Sequence, residues 1–366
     1  MIYQKYMKSA LQLARKGEGL TRPNPPVGAI VVLNNEIVGT GYHRKVGCDH
    51  AEVAALKNAG TLAQGATIFV TLEPCSTVGR TPQCTDAILK AGIKKVVVSV
   101  RDPNPKHAGR GIALLKHAGV EVLEGVCADE GKALITPFAK WITKGMPYVT
   151  LKLGMTIDGS IADFQDGSKW ITGAKSRATV QAMRRRADAV CVGSGTARID
   201  NPSLLPRPAL GRTPYRVVFD TNCNLPDNLT IFNDVHNANT IVVAGPDASV
   251  AKIEALKVKG VNVWQVPIEN GRISLKSFMQ KMGEFGVLHA LIEGGGEIAE
   301  SLTRHQLVDE FVFFVAPLLL GGVSKKSFAG NGWLLEEAPR LVFKQIKKSG
   351  EDIMIRAVRR NEQLQV

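Results

Sequence analysis

Aromatic side chains are scarce in this chain of 366 residues, at 6% of the composition. Surfaces that track single-stranded nucleic acid stack bases on aromatic rings, so the scarcity argues against one here. No apolar run approaches the roughly 20 residues needed to cross a bilayer. Internal repeats and low-complexity tracts are also missing. The opening Met1-Ile2-Tyr3-Gln4-Lys5 leads into an amphipathic helix and lacks the apolar core of a secretory signal. Six cysteines in this length do not make a disulfide framework. A cytoplasmic protein with no membrane partner is expected. Acidic residues are outnumbered, 33 against 46 Lys and Arg, for a net charge of +13. That excess favours anionic partners such as phosphorylated metabolites, but it is spread along the chain. The densest run, Arg184-Arg185-Arg186, falls in an expected helix and reads as a partly solvated face, not a nucleic-acid groove. The remaining composition, 45% hydrophobic and 22% charged, is that of a globular chain long enough for two cores.

Against this background one cluster carries chemistry. His50-Ala51-Glu52 is followed by Pro74-Cys75 and then by Cys84. One imidazole and two thiols make a three-ligand zinc set that leaves a fourth position for water. Glu52, two residues from the imidazole, suits proton transfer from that water to a leaving amine at an amidine carbon. Structural readings compete: Asp49 and Glu52 fit a capping box opening a helix over Ala51–Ala59, and the cysteines fit buried thiols. The combined pattern, with a proline ahead of Cys75, favours the metal. Thr81 reads as an N-cap and Pro82 as the first residue of a helix running to Ala91, which places Cys84 in its first turn.

Organisation follows from periodicity. The first 145 residues alternate helix and strand, from a helix over Tyr3–Arg15 to one over Ala128–Thr143. Gly145-Met146-Pro147 marks the boundary, giving domains 1–145 and 146–366. The second opens with a half-buried strand, Tyr148–Gly154, presenting Lys152 on its polar side. Further strands are expected at Ala189–Val192, Arg216–Asp220, Thr240–Ala244, Val261–Val266, Leu288–Glu293 and Asp309–Val315. Two of them run into glycine-rich turns, Gly193-Ser194-Gly195-Thr196 and Gly294-Gly295-Gly296. Such turns admit a pyrophosphate at a helix N-terminus. Neither is a full G-x-G-x-x-G, since Arg198 takes the last glycine position of the first.

Read together, these segments resemble the bifunctional deaminase–reductases of riboflavin biosynthesis over nearly the whole chain. The first half matches in Thr21–Gly28, His50-Ala51-Glu52, Leu72–Ser76, Gly79–Pro82 with Cys84, and Asp102–Pro105. The second matches in Leu151–Gly159, Trp170–Gly173, Gly193–Thr196, Asp200-Asn201-Pro202 and Glu293–Gly296. Residues 76–83 separate the two cysteines, longer than the Cys-x-x-Cys of deaminases acting on cytidine or nucleic-acid bases. One departure is Thr77, where the family commonly carries histidine.

The resemblance implies a cytidine-deaminase-like three-layer α/β/α domain followed by a dihydrofolate-reductase-like α/β domain. It implies zinc-dependent deamination of a diaminopyrimidinone ribosyl phosphate, then NADPH-dependent reduction of the ribose to a ribityl chain. Zinc and NADPH are the implied cofactors, a phosphorylated pyrimidine the substrate, and a homo-oligomer, dimer or tetramer, the assembly. By carry-over, Asn24, Arg80 and the 76–79 loop line the deaminase pocket. Ser168, Arg184, Leu204, Arg207 and Glu293 match substrate positions of the reductase. Gly154, Trp170, Thr196, Asp200 and the run Gly295, Gly296, Glu297, Ile298, Ala299, Glu300, Ser301 match cofactor positions. Asp200 suits the proton movement that opens the sugar, Lys152 the polarisation of the acceptor, and Arg184 or Arg207 the phosphate. The structural alternatives make Asp200 a cap for the Asn201-Pro202 turn and Lys152 a mere polar strand position. Two other functional readings stand beside this one: a nucleic-acid base deaminase, and a first half retained as a non-catalytic module.

Overall fold

The computed structural model describes residues 2–77, 83–209 and 211–360. The chain divides into two compact units, Met1–Met146 and Pro147–Val366. In the first, α1 (Ile2–Ala14) precedes a hairpin of β1 (Gly28–Leu33) and β2 (Glu36–Tyr42). Asn34 and Asn35 join them at φ 50° and 66°, left-handed values that a tight hairpin needs and asparagine tolerates. Then come α2 (Ala51–Ala59), β3 (Thr67–Leu72), α3 (Cys84–Lys90), β4 (Lys95–Val100), α4 (Arg110–His117), β5 (Glu121–Glu124) and α5 (Ala128–Lys144). The strands form one sheet in the order β2-β1-β3-β4-β5, antiparallel as far as β3 and parallel beyond it.

Alternation along these strands supplies both faces. Val31, Ile68, Val70 and Val96 pack on Ala55 of α2, Ile88 of α3 and Leu115 of α4. Ile30, Phe69 and Val97 pack on Met7 and Leu11 of α1 and on Leu134 and Ile135 of α5. The result is an α/β/α sandwich. Gly41 has to be glycine because α2 lies against β2: a Cβ there would run into the Ala51 carbonyl. That approach sets where the start of α2, and hence His50, stands.

The second unit begins with β6 (Tyr148–Thr156), β7 (Ser160–Ala162), α6 (Ala174–Arg186), β8 (Ala189–Gly193), α7 (Ser194–Asp200) and β9 (Tyr215–Phe219). It continues through β10 (Thr240–Ala244), α8 (Val250–Val258), β11 (Asn262–Gln265), β12 (Ile268–Glu269), β13 (Arg272–Ile273) and α9 (Leu275–Glu284). The last elements are β14 (His289–Glu293), α10 (Gly296–Arg304), β15 (Glu310–Ala316), β16 (Lys325–Lys326), β17 (Leu341–Ser349) and β18 (Asp352–Arg359). Nine strands form a sheet in the order β11-β10-β9-β8-β14-β6-β15-β18-β17. It is parallel from β11 to β15, and the β17–β18 hairpin extends it antiparallel. The chain order reverses around β14, and open α/β sheets bind ligands in the crevice at such a point.

Three local expectations are corrected. β6 is not half-exposed: it lies between β14 and β15, and Thr150 is buried along with Val149, Leu151 and Leu153. On the expected polar side only partial exposure is left, at Tyr148, Lys152 and Gly154. Arg184 is not on a solvated face either; its side chain is 14% exposed because the last turn of α6 directs it to Glu293. The capping box fails as well. His50 is the N-cap of α2 and makes no side-chain cap bond, while Asp49 pairs with Lys57 at 2.8 Å and Glu52 is buried.

Candidate active sites

The first site is built where β3 ends. Glu73 is buried, and its carboxylate accepts the backbone N–H groups of Asp102 (3.1 Å), Gly109 (2.9 Å), Gly111 (2.9 Å) and Ile112 (3.3 Å). Amides converging on one carboxylate fasten the turn Glu73-Pro74-Cys75 to the start of α4. Gly111 completes the fit, since a Cβ there would strike the Pro74 carbonyl. Cys75 is held in turn by the next helix: the amide of Cys84, first residue of α3, donates to its Sγ at 3.3 Å. His50 Nδ1 stands 3.2 Å from Cys84 Sγ and 3.6 Å from Cys75 Sγ, and the three ligand atoms all lie within 4.8 Å of one another. Tetrahedral zinc with bonds of about 2.0–2.3 Å sets its ligand atoms roughly 3.5 Å apart, so this nitrogen–sulfur set fits the ion.

Electrostatics agree with that use. Hydrogen bonding with Cys84 overcomes burial and, with His50, holds the Cys75 thiol well below its ordinary value. The same thiol–thiol bond, with burial, pushes Cys84 up. A bound cation favours thiolate at both. Glu52 stands beside them with its carboxyl pushed up to about 7, first by burial and then by Cys75. His43 is a site residue that the sequence reading passed over. It is buried, its ring meets His50 edge-on at 5.3 Å, and Nδ1 lies 3.1 Å from the Asp49 carbonyl. With Nδ1–H donating there, Nε2 accepts from Asn24 Nδ2 at 3.1 Å, and burial pushes the pKa down towards the neutral ring this requires. Asn24 is therefore aimed by His43. Thr77 is exposed, and Arg80, Gly79, Thr81 and Pro82 lie outside the described residues.

Cys75→Ser is expected to lower zinc affinity by more than about 100-fold, because second-shell changes alone cost about 10–100-fold. Metal content of the purified variant checks this. Stoichiometric zinc in it would remove Cys75 from the ligand set.

The second site is a cleft of about 1300 Å³ at the C-terminal ends of β6, β8, β9 and β14. At its centre Glu293 ends β14. It accepts Arg184 Nε at 2.6 Å and Nη2 at 3.0 Å, and Lys152 Nζ of β6 lies at 3.3 Å. Burial pushes this carboxyl up, but Lys152 and Arg184 overcome it and hold it at about 2. Arg184 Nη1 also donates to the Leu205 carbonyl at 3.2 Å, so three of its five N–H groups are engaged within the protein. Asp200 ends α7 and accepts Ser168 Oγ at 2.7 Å. Asn201, at φ 42°, closes that helix, and among the described residues the Asp200 carboxylate is bonded to Ser168 and not to the Asn201-Pro202 turn.

Thr196 of α7 and the α10 loop come together, with Oγ1 3.5 Å from where a Cβ on Gly294 would stand. Gly294 and Gly295 adopt φ 73° and 84°, which suits them to glycine. Gly154, Trp170, Arg207, Gly295, Gly296, Glu297, Ile298 and Ser301 also line the cleft. Three expected residues are placed elsewhere. Leu204 and Ala299 are buried in the core, and Glu300 turns to Arg304 Nε at 2.7 Å.

Donor set and cleft define a class: a metal-dependent, cytidine-deaminase-like domain ahead of a nucleotide-dependent α/β reductase domain. Residues 1–100 match the cytidine and deoxycytidylate deaminase zinc-binding region, and residues 147–355 match the RibD C-terminal domain. A riboflavin biosynthesis protein RibD from Aquifex aeolicus is 42% identical over 97% of this chain and 98% of its own. The structure of Acinetobacter baumannii RibD superposes with a TM-score of 0.89 at 36% identity, covering 98% of this chain and 99% of that one. A Thermotoga maritima deaminase/reductase acting on diaminohydroxyphosphoribosylaminopyrimidine and 5-amino-6-(5-phosphoribosylamino)uracil gives 0.86 at 34% identity, over 98% and 99%.

The chain belongs to the RibD family of bifunctional riboflavin-biosynthesis enzymes, with a deaminase and a reductase activity. Membership implies a zinc-binding deaminase region, here with the His50, Cys75 and Cys84 cluster, and a nicotinamide cofactor for the reductase. Among the described residues no helix is long and apolar enough to cross a membrane.

Proposed function

We propose that the first unit hydrolyses the 2-amino group of 2,5-diamino-6-ribosylamino-4(3H)-pyrimidinone 5′-phosphate, and that the second reduces the ribosyl group of the product to ribityl with NADPH. The observation that carries the first half is Glu52 buried beside three convergent metal ligands. His50, Cys75 and Cys84 would hold the zinc ion, which would supply Lewis acidity towards water at neutral pH. Glu52 accepts the proton from the attacking water and returns it to the departing amine, a double role that suits a carboxyl near pH 7. Asn24, aimed by His43, orients the pyrimidine, and Arg80 remains assigned to the substrate.

In the reductase, a nicotinamide held in the cleft would supply the hydride for C1′ of the ring-opened aminosugar. Asp200, bonded to Ser168, moves the proton that ring opening needs. Lys152 polarises the acceptor while Glu293 and Arg184 fix its position. With Arg184 committed to Glu293, the exposed Arg207 takes the substrate phosphate. A cytoplasmic homo-oligomer, dimer or tetramer, belongs to the same reading; the edge strand β17 exposes Phe343 and Ile346 in its support.

Mass spectrometry of the products tests both halves. Without NADPH the expected product is the deaminated ribosyl compound alone, and adding NADPH converts it to the ribityl form. Reduction without prior deamination would overturn the order of steps. No turnover by zinc-loaded protein, together with salt-sensitive RNA binding, would favour a nucleic-acid base deaminase instead.

A further inference from the structure

We propose that Arg272 reads the 2′-phosphate of the dinucleotide and so sets the preference for the phosphorylated cofactor. This rests on the nicotinamide-dependent reduction proposed above. The cleft runs along the C-terminal ends of the parallel strands, and its charges are unevenly placed. Over β6 and β14, Lys152 and Arg184 share Glu293. On β16, Lys325 pairs with Asp166 and Lys326 lies 3.8 Å from Asp158. Towards β9 the lining is Phe219, Thr221, Ile273 and Leu275, and Arg272 is the cation among these described residues.

Those positions orient a dinucleotide. The hydride-donating ring has to reach Lys152 and Glu293. The pyrophosphate belongs at Gly294-Gly295-Gly296, where α10 begins and Thr196 closes in. Laid out this way, the adenosine half extends from β14 towards β9. Phe219, Ile273 and Leu275 then offer the purine an apolar wall, and Arg272 meets the ribose.

Arg272 is held there by its surroundings. Glu269 pairs with Arg272, and Ile268 with Ile273, across the β12–β13 ribbon. Ser274 donates to Glu269 at 2.6 Å and caps α9 by accepting from the Ser277 amide at 3.4 Å. Ile268 packs so closely on Gly245 that a Cβ there would come within 2.7 Å of it, and the Gly245 amide donates to the Thr221 carbonyl at 2.8 Å. The ribbon is thus fastened to the loop after β9, whose Thr221 lines the same cleft.

The partner of Arg272 in this structure is Glu297, at 3.4 Å, with the two side chains 61% and 72% exposed. An exposed pair of this kind is weak, whereas a guanidinium fork matches phosphate geometry with two charge-assisted bonds. A carboxylate beside an adenosine ribose favours a 2′-hydroxyl, and a nearby arginine accommodates a 2′-phosphate. Arg272 and Glu297 therefore pull the specificity in opposite directions.

Calorimetry on the full chain with adenosine 2′,5′-bisphosphate and with 5′-AMP separates these effects from turnover. For Arg272→Ala the bisphosphate is expected to weaken by at least about tenfold, the scale of one or two lost charge-assisted bonds, with 5′-AMP within about twofold. Glu297→Gln is expected to tighten the bisphosphate severalfold. The ratio of kcat/KM for NADPH to that for NADH should fall in the first variant and rise in the second. Equal weakening of both nucleotides in Arg272→Ala would make Arg272 a structural residue and overturn the proposal. So would unchanged nucleotide binding with a raised KM for the pyrimidine phosphate, which would make it a substrate contact. Wild-type protein that oxidises neither nicotinamide would refute the underlying reading itself, a failure distinct from unaltered nucleotide binding in the variants.

Discussion

Glu52→Gln is expected to lower ammonia release by about 10²–10⁴, the range that positioned acid–base groups supply, while zinc content stays at one ion per chain. Glutamine keeps the shape of the side chain and its capacity to accept and donate hydrogen bonds, but it cannot carry a proton between water and amine. Because Glu52 is buried, 3% exposed, the substitution disturbs no surface charge. Burial already opposes the ionised carboxylate, so a neutral amide of the same volume should fold at least as stably. Loss of deamination with unchanged thermal unfolding and unchanged zinc would isolate proton transfer from structure. NADPH-dependent reduction of the deaminated pyrimidine, assayed on the same preparation, reports on the separate reductase unit and should persist. Ammonia release at the wild-type rate would mean that Glu52 is not the proton shuttle.

How much of this was legible beforehand depends on how local the signal is. The zinc set was readable because each donor comes with its own punctuation: a helix start at His50, a proline before Cys75, a helix start at Cys84. Strands Thr67–Leu72 and Thr240–Ala244 were readable because short β-branched runs ended in turns. The β17–β18 hairpin was not. β17 carries Lys344, Lys347 and Lys348 and is exposed along most of its length, so it has no hydrophobic alternation to read. What fixes the hairpin is tertiary: it pairs with β15, and Asp352 accepts the Gly173 amide at 2.8 Å and Ser176 Oγ at 2.5 Å at the start of α6. Glu73 and His43 escaped for the same reason. Their partners lie on Asp102–Ile112 and on Asn24, and no local pattern announces a carboxylate that collects amides from a distant loop. Period-two alternation placed Lys152 on the polar side of a half-buried strand, but it could not show that the ammonium is only 15% exposed and has its charge matched by Glu293.

That matching sets up the largest stability effect. Glu293 is 6% exposed and offsets two cations, Lys152 and Arg184, whose side chains are 15% and 14% exposed. Glu293→Ala is expected to destabilise the reductase unit by about 3–5 kcal/mol, because removing one partner of a buried pair strands the other's charge. For a unit of this size that corresponds to a fall of roughly 6–20 °C in Tm. The pH dependence has a definite sign. The folded carboxyl is held at about 2, below its ordinary 4.5, so its contribution is fully present above about pH 4.5 and is lost as pH falls towards 2. In Glu293→Ala this acid-labile component should be missing. Lys152→Met separates fold from chemistry. It leaves Arg184 and Glu293 as a one-to-one pair and fills the same space, so the unit should unfold within a few degrees of wild type. Reduction should nonetheless fall by about 10²–10³, the scale of a lost electrostatic contact to charge developing in the transition state. If Lys152→Met reduced the substrate at the wild-type rate, Lys152 would be only the second half of a buried ion pair. The polarising role would then pass to another donor at the end of β6 or β14.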